Sequence, residues 1–218
     1  DAFLSQDNYG ANTGNNDRSK EPGNQLAGID LRWQPFDSPF ALYGQLVGED
    51  EDKFLPNCLM FQYGIEAWTN IEDSTLRVFA EYADLTSYWW TDDPRTRNIT
   101  YGHHIYNDGY RYRGRPIGHW SDQDSQILSL GGVLQKENGI GWGSTIRTGK
   151  LNEDGAGTRS SVSASTSTDY FSIDVFNSRK YPAYGLSVNT SFGWESLKPE
   201  GGKTDDGLAG YLTLTRAF

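Results

Sequence analysis

The chain has 218 residues, a formal net charge of −10, 36% hydrophobic and 22% charged residues, and 25 Gly, 13 Tyr, 10 Phe and 7 Trp. Such aromatic and Gly richness excludes disorder, which is aromatic-poor, and argues against a helical bundle, which needs more Leu, Ala and Met. The single Cys58 excludes an intrachain disulfide framework and a cysteine zinc site, the acidic balance disfavours nucleic acid as a partner, and the longest apolar run, Cys58 to Phe61, is too short for a transmembrane helix.

The chain opens on Asp1 with a long polar stretch to Asn24 and no basic-then-apolar leader. Either a signal has been removed or the sequence is a piece of a longer protein. Beyond it the pattern has period two. Residues 57–68 place Leu59, Phe61, Tyr63, Ile65 and Ala67 on one side and Gln62, Gly64 and Glu66 on the other. Residues 74–85 and 184–196 alternate in the same way, with Leu186, Val188, Phe192 and Trp194 opposite Ser187, Asn189, Ser191 and Glu195 in the latter. Successive side chains of a strand point to opposite faces, so this alternation predicts strands, and about 9–11 tilted residues suffice to cross a bilayer.

Nine strands are predicted, at 25–34, 39–47, 57–68, 74–85, 124–136, 140–150, 166–177, 184–196 and 207–218, the seventh with the weakest signal. The connectors between them alternate. Short ones fall at 35–38, 69–73, 137–139 and 178–183; long ones at 48–56, 86–123, 151–165 and 197–206. Outer-membrane barrels have short periplasmic turns and longer external loops, and a soluble sandwich has no reason to sort its loops so. In this topology Trp33, Phe40, Trp68, Trp142, Phe176, Tyr184 and Phe218 mark the periplasmic strand ends, and Tyr88, Trp89, Trp90, Phe192 and Trp194 the outer ends, as two aromatic girdles. An open sheet of nine strands would leave two bare edges in lipid. The expectation is therefore an all-β, transmembrane, antiparallel up-and-down barrel of about eighteen strands, of which residues 1–218 form the carboxyl-terminal half. The terminal Phe218, with apolar residues at alternate positions before it, looks like the signal read by the barrel assembly machinery; Arg216 departs from that pattern.

The long connector 86–123 carries the chemistry. Tyr106, Tyr110, Tyr112 and Trp120 offer flat amphipathic faces, and Arg111, Arg113 and Arg115 offer forked donors for carboxylates or phosphates. Rings beside guanidinium forks suit sugar rings that bear carboxylates. The competing role is structural: the same arginines could lock the loop onto lumen carboxylates such as Glu66 and Glu81, or Arg111 and Arg113 could share one face of an extended barrel wall. His103 and His104 are adjacent and point opposite ways on an extended chain, so no metal centre is expected there. The run Gly48-Glu49-Asp50-Glu51-Asp52 reads as a solvated acidic loop tip; calcium is its less favoured use. No nucleophile elbow or zinc-protease motif occurs, and no catalytic residue or cofactor is assigned. Asp30, Arg32, Glu66, Arg77, Glu81 and Arg147 are read as a charged wall network.

Tyr43-Gly44-Gln45, Gly48-Glu49-Asp50-Glu51, His103-His104-Ile105-Tyr106, the segment Gly109-Tyr110-Arg111-Tyr112-Arg113-Gly114-Arg115-Pro116-Ile117-Gly118-His119, Asp122 and Asp124-Ser125 together resemble the capsule assembly protein Wzi family. The resemblance implies an outer-membrane barrel that binds capsular polysaccharide as a lectin and helps attach it to the bacterial surface, with long loops facing the exterior. It implies no residue-level sugar site, so Tyr106, Tyr110, Arg111, Tyr112, Arg113, Arg115 and Trp120 stand on chemistry alone. The expected partners are an acidic capsular polysaccharide, outer-membrane lipid and the assembly machinery. The alternatives are a porin-like channel and an outer-membrane hydrolase of glycan or lipid.

Overall fold

A computed structural model describes residues 26–52, 55–87, 98, 100–102, 109–155 and 164–216. Its strands are β1 (Leu26–Trp33), β2 (Phe40–Asp52), β3 (Leu55–Ile71), β4 (Ser74–Asp84), β5 (Arg111–Tyr112), β6 (Arg115–Pro116), β7 (Gln126–Lys136), β8 (Ile140–Leu151), β9 (Thr168–Tyr181), β10 (Leu186–Pro199) and β11 (Asp205–Arg216). All but β5 and β6 form one nine-stranded sheet in the order β1-β2-β3-β4-β7-β8-β9-β10-β11. Within this sheet each strand pairs antiparallel with its neighbours in that order. The nine strands expected from the alternation are all present, and the weakest, now Thr168–Tyr181, pairs along its length on both sides.

Register sorts the side chains onto two faces. One row runs Trp33, Leu42, Ile65, Ala80, Leu130, Ile146, Ile173, Trp194, Leu208. The next row, offset by one residue, runs Arg32, Tyr43, Gly64, Glu81, Ser129, Arg147, Ser172, Glu195, Gly207. Strand pairing therefore gathers one continuous apolar surface and one continuous polar surface. Ile29, Leu31, Leu130, Val175, Phe192 and Leu212 are exposed on the apolar side, and no second layer covers that side among the described residues. Burying such a surface favours each position by roughly 25 cal/mol per Å², which water cannot supply and hydrocarbon can.

The polar face holds the charged wall. Arg32 donates to Oε1 of Glu66 through Nε (2.9 Å) and Nη2 (2.7 Å). Arg77 donates to Oε2 of the same carboxylate through Nε (2.7 Å) and Nη2. Tyr43 Oη donates to Glu81 (3.0 Å), Gln45 Nε2 to Asp30 (2.7 Å), and Arg147 Nη1 to Asp174 (2.6 Å). The network read from the sequence is present, with Glu66 itself buried. Tyr43 lies flat over Gly64, where a Cβ would sit 2.4 Å from its ring. Phe79 over Gly131 and Phe176 over Gly143 repeat the arrangement on the same face.

Several expectations need correction. The acidic run is not a loop tip: Gly48–Asp52 belongs to β2, whose ladder continues through Glu49↔Cys58 and Glu51↔Pro56. The expected long connectors 48–56 and 197–206 shrink to 53–54 and 200–204 for the same reason, since pairing satisfies backbone groups that a loop would leave to water. Only 85–125 and 152–167 remain long at that end of the sheet. At the other end β3 runs on to Ile71 and turns at Glu72–Asp73. Trp68 and Phe176 face the polar side, Trp68 beneath Arg32 at 6.0 Å, so neither belongs to a girdle. Phe192 and Trp194 sit in mid-strand on the apolar face. Tyr88, Trp89, Trp90, His103, His104 and Phe218 lie outside the described residues.

Candidate functional site

The long connector is tied down at its base. Leu85 N donates to Ser125 O (2.8 Å) and Asp124 N to Leu85 O (3.3 Å), which extends the β4–β7 ladder past the strand ends. The expected strand 124–136 thus begins at Gln126, and Ser121 to Ser125 form a fully buried anchor. Asp124 also receives the second long connector: its carbonyl accepts Glu153 N (2.8 Å) and its Oδ2 accepts Asp154 N (3.0 Å). Asn98 Nδ2 completes the tie through Asp154 Oδ2 (2.7 Å).

Above this base Tyr101 organises the loop. It packs with Met60 and Leu85, its carbonyl accepts Tyr110 N (2.9 Å), and its hydroxyl accepts His119 N (3.1 Å). Gly118 gives the ring its place, since a Cβ there would lie 2.4 Å from it. Residues 111–116 form a small hairpin whose two turn residues, Arg113 (φ 51) and Gly114 (φ 74), both adopt the left-handed conformation that a two-residue type I′ turn requires.

The loop lies against the polar face and encloses a cavity of about 620 Å³ lined by Gln45, Gln62, Tyr101, Tyr110, His119 and Trp120, among others. Trp120 packs at a tilt against His119 (centroids 5.6 Å) and against Tyr170 of β9 (5.1 Å), so the loop spans from β2–β3 to β9. Aromatic walls with amide and hydroxyl donors at the floor hold a polyhydroxylated ring well: the rings cover its apolar face and the amides meet its edge.

The candidate residues separate into three groups. Tyr110 and Trp120 line the cavity, each about two-fifths exposed. Tyr112 (65% exposed), Arg113 and Arg115 sit on the hairpin tip, and neither Arg113 nor Arg115 pairs with a carboxylate among the described residues. Arg113 lies 5.4 Å from the Tyr112 ring. Arg111 is different: its side chain is 7% exposed, and it holds Asp122, wholly buried, through Nε (3.1 Å to both oxygens) and Nη2 (2.9 Å). Gln123 Oε1 accepts a further bond at 3.1 Å. Arg111 is therefore a lock, and its partner is Asp122 rather than Glu66 or Glu81. Nor do Arg111 and Arg113 share one face, because the hairpin turn separates them. Tyr106 lies outside the described residues.

Tyr101, Gln45, Gln62 and His119 also line the cavity, beyond the residues whose chemistry marks them in the sequence. The alternation already placed Gln62 on the polar side; what the sequence lacks is any sign that a loop would fold back over it.

Residues 1–200 match the model of the capsule assembly protein Wzi family. The chain belongs to the Wzi family. A relative from Klebsiella pneumoniae, described as an uncharacterized 55.8 kDa protein in the cps region, is 44% identical over 69 residues, 30% of this chain and 12% of the relative. A solved structure described as Wzi, an outer membrane protein involved in group 1 capsule assembly in Escherichia coli and a carbohydrate-binding β-barrel, matches with a TM-score of 0.73 and 26% identity over 89% of this chain and 43% of that one. The chain thus spans less than half of the solved barrel it matches.

Burial lowers the His119 pKa from its ordinary 6.5, with Glu81 opposing and Arg147 adding to the shift. Nδ1 of His119 stands 2.6 Å from Ser121 Oγ. A folded-state pKa below the unfolded one means that the open loop takes up protons first as pH falls, so loop stability is full above about 6.5 and declines below it. Protease cleavage of the loop is expected to accelerate between pH 7.5 and pH 5 and to lose that dependence in His119→Gln; an unchanged pH dependence in His119→Gln would assign the effect to other groups.

Proposed function

We propose that this protein is the carboxyl-terminal part of an outer-membrane barrel of about eighteen strands that binds an acidic capsular polysaccharide and helps hold it at the cell surface. The apolar face meets outer-membrane lipid, the loop end faces the exterior, and Phe218 engages the assembly machinery. Binding is non-enzymatic: Tyr110, Tyr112 and Trp120 stack on sugar rings, and Arg113 and Arg115 pair with sugar carboxylates. The observation that carries this reading is the pair of tip arginines, which meet no carboxylate among the described residues, beside the exposed Tyr112 ring, together with a cavity walled by aromatics and floored by amides. The tip supplies a local positive region on a chain of net charge −10. Family membership and the carbohydrate-binding barrel that the chain matches support it.

The test is capsule retention on cells and binding of purified capsule by the detergent-solubilised full-length protein. Trp120→Ala should weaken binding about tenfold, the equivalent of 1.4 kcal/mol. Arg113→Ala with Arg115→Ala should weaken it by a similar factor at low salt and less at high salt. Normal retention when Trp120→Ala, Arg113→Ala and Arg115→Ala are combined, with a normally assembled barrel, would end the reading.

A further inference from the structure

We propose that the polar sheet face beneath the loop holds a second saccharide subsite, continuous with the loop cavity, that takes a carboxylate-bearing sugar ring. The inference rests on the polysaccharide-binding reading and extends it to residues of the sheet itself.

Continuity comes from register. Gln45 pairs with Gln62 across β2 and β3, and both line the loop cavity. The same two amides also line a second hollow of about 510 Å³ on the polar face, with Arg32, Tyr43, Glu66 and Arg77. Two residues further along the strands the next polar row brings Arg32 opposite Tyr43, and two more reach Glu66. Each such step is roughly 6.8 Å, so the path from the amide floor to the Glu66 carboxylate is roughly 14 Å, longer than one sugar ring.

The chemistry is that of a saccharide site. Tyr43 lies against Gly64, so one side of its ring rests on the sheet and the other faces away from it. The hydroxyl is held by Glu81 at 3.0 Å, which fixes the ring in place. Arg32 and Arg77 each turn Nε and Nη2 toward Glu66. Both side chains are about half exposed, and their Nη1 ends have no partner among the described residues. Asp30 and Glu81 line the same hollow, so its carboxylates outnumber its guanidinium groups by one; Gln45 and Tyr43 donate to those two carboxylates, and the Nη1 ends of Arg32 and Arg77 remain as the donors open to a ligand carboxylate. A ring stacked on Tyr43 would bring its carboxylate to those two ends, which are already oriented and lose little freedom on binding.

The experiment uses full-length protein in detergent and oligosaccharides cut from the producing strain's own acidic capsule, as disaccharide and tetrasaccharide fractions, native and carboxyl-reduced. Calorimetry should show the native tetrasaccharide binding about tenfold tighter than the disaccharide, because only the longer chain reaches both hollows. Tyr43→Leu should remove that gain and leave disaccharide affinity unchanged; Tyr43→Phe should keep it. Arg77→Lys should erase the preference for the native over the reduced tetrasaccharide, and this readout stands even if Tyr43→Leu does not assemble. Equal affinity for both lengths in the wild type, or a gain that survives Tyr43→Leu, overturns the subsite and leaves the loop reading intact. No binding of any fraction by the wild type overturns both.

Discussion

Arg111→Met should open the long loop while leaving the barrel wall in place. The substitution keeps most of the side chain's length but leaves the Asp122 carboxylate, which has no solvent exposure, without the guanidinium that now meets it at 2.9–3.1 Å. Breaking one side of a buried ion pair costs about 3 kcal/mol, because the remaining charge cannot recover its hydration. If loop opening limits proteolysis, cleavage within 86–123 should become about a hundredfold faster, while the heat-modifiable mobility of the folded barrel stays unchanged. Adding Asp122→Asn removes the stranded charge. Asn also tolerates the left-handed backbone found at that position (φ 63), so the double variant should recover most of the protection. Glycan binding should return with it. That recovery separates the two roles open to Arg111 from sequence alone: a donor to sugar carboxylate would stay lost in the double variant, whereas a lock is replaced by any neutral pair that packs. Loss of binding that persists while protease resistance returns would restore Arg111 to the binding surface.

The contrast between Arg111 and its neighbours shows what the sequence carries and what it does not. Alternation is local, so nine strands and the facing of Ile65, Ala80 and Trp194 are legible directly from period two. Composition overstates loop length where polar residues continue a ladder. Glu49 and Glu51 look solvated by composition, yet the ladder with β3 continues opposite them to Cys58 and Pro56, even though Pro56 has no N–H to donate. Trp68 and Phe176 lie near the expected strand ends, where depth alone suggests a girdle, but parity puts both on the polar face, where Phe176 covers Gly143 and Trp68 carries Arg32. The site was legible as a set of chemistries but not as an arrangement. Tyr110-Arg111-Tyr112-Arg113 is a simple alternation until Arg113 and Gly114 take positive φ, after which adjacent arginines have opposite fates, one buried on Asp122 and one exposed beside Tyr112. The residues that set this outcome, Tyr101, Gly118 and the run Ser121 to Ser125, matter through tertiary contacts across the loop, which no periodicity encodes.

Assembly in the membrane gives the sharper test, because two adjacent residues of β8 should respond in opposite ways. Ile146 lies in the apolar row between Leu130 and Ile173, near the middle of its strand. Thr145 points to the polar face, between Gly131 and Asp174. If the apolar face meets lipid, Ile146→Arg places a charge at the bilayer midplane at a cost of about 2–4 kcal/mol, and several such changes in one row would add. Thr145→Arg places the same charge on the wetted side, within reach of the Asp174 carboxylate that already pairs with Arg147 at 2.6 Å, and should cost little. The yield of heat-modifiable protein in outer-membrane fractions should therefore fall steeply for Ile146→Arg and stay near wild type for Thr145→Arg. Ile146→Glu should fall less than Ile146→Arg, since acidic residues are the less costly charges on a barrel's lipid face. A second packed protein layer over the apolar row would reject both charged Ile146 variants, and it would also reject Ile146→Trp through overpacking. Lipid accepts the larger ring. Normal assembly of Ile146→Trp together with failure of Ile146→Arg is thus the combination that only a lipid-facing surface gives, and failure of both would place another protein surface against this row.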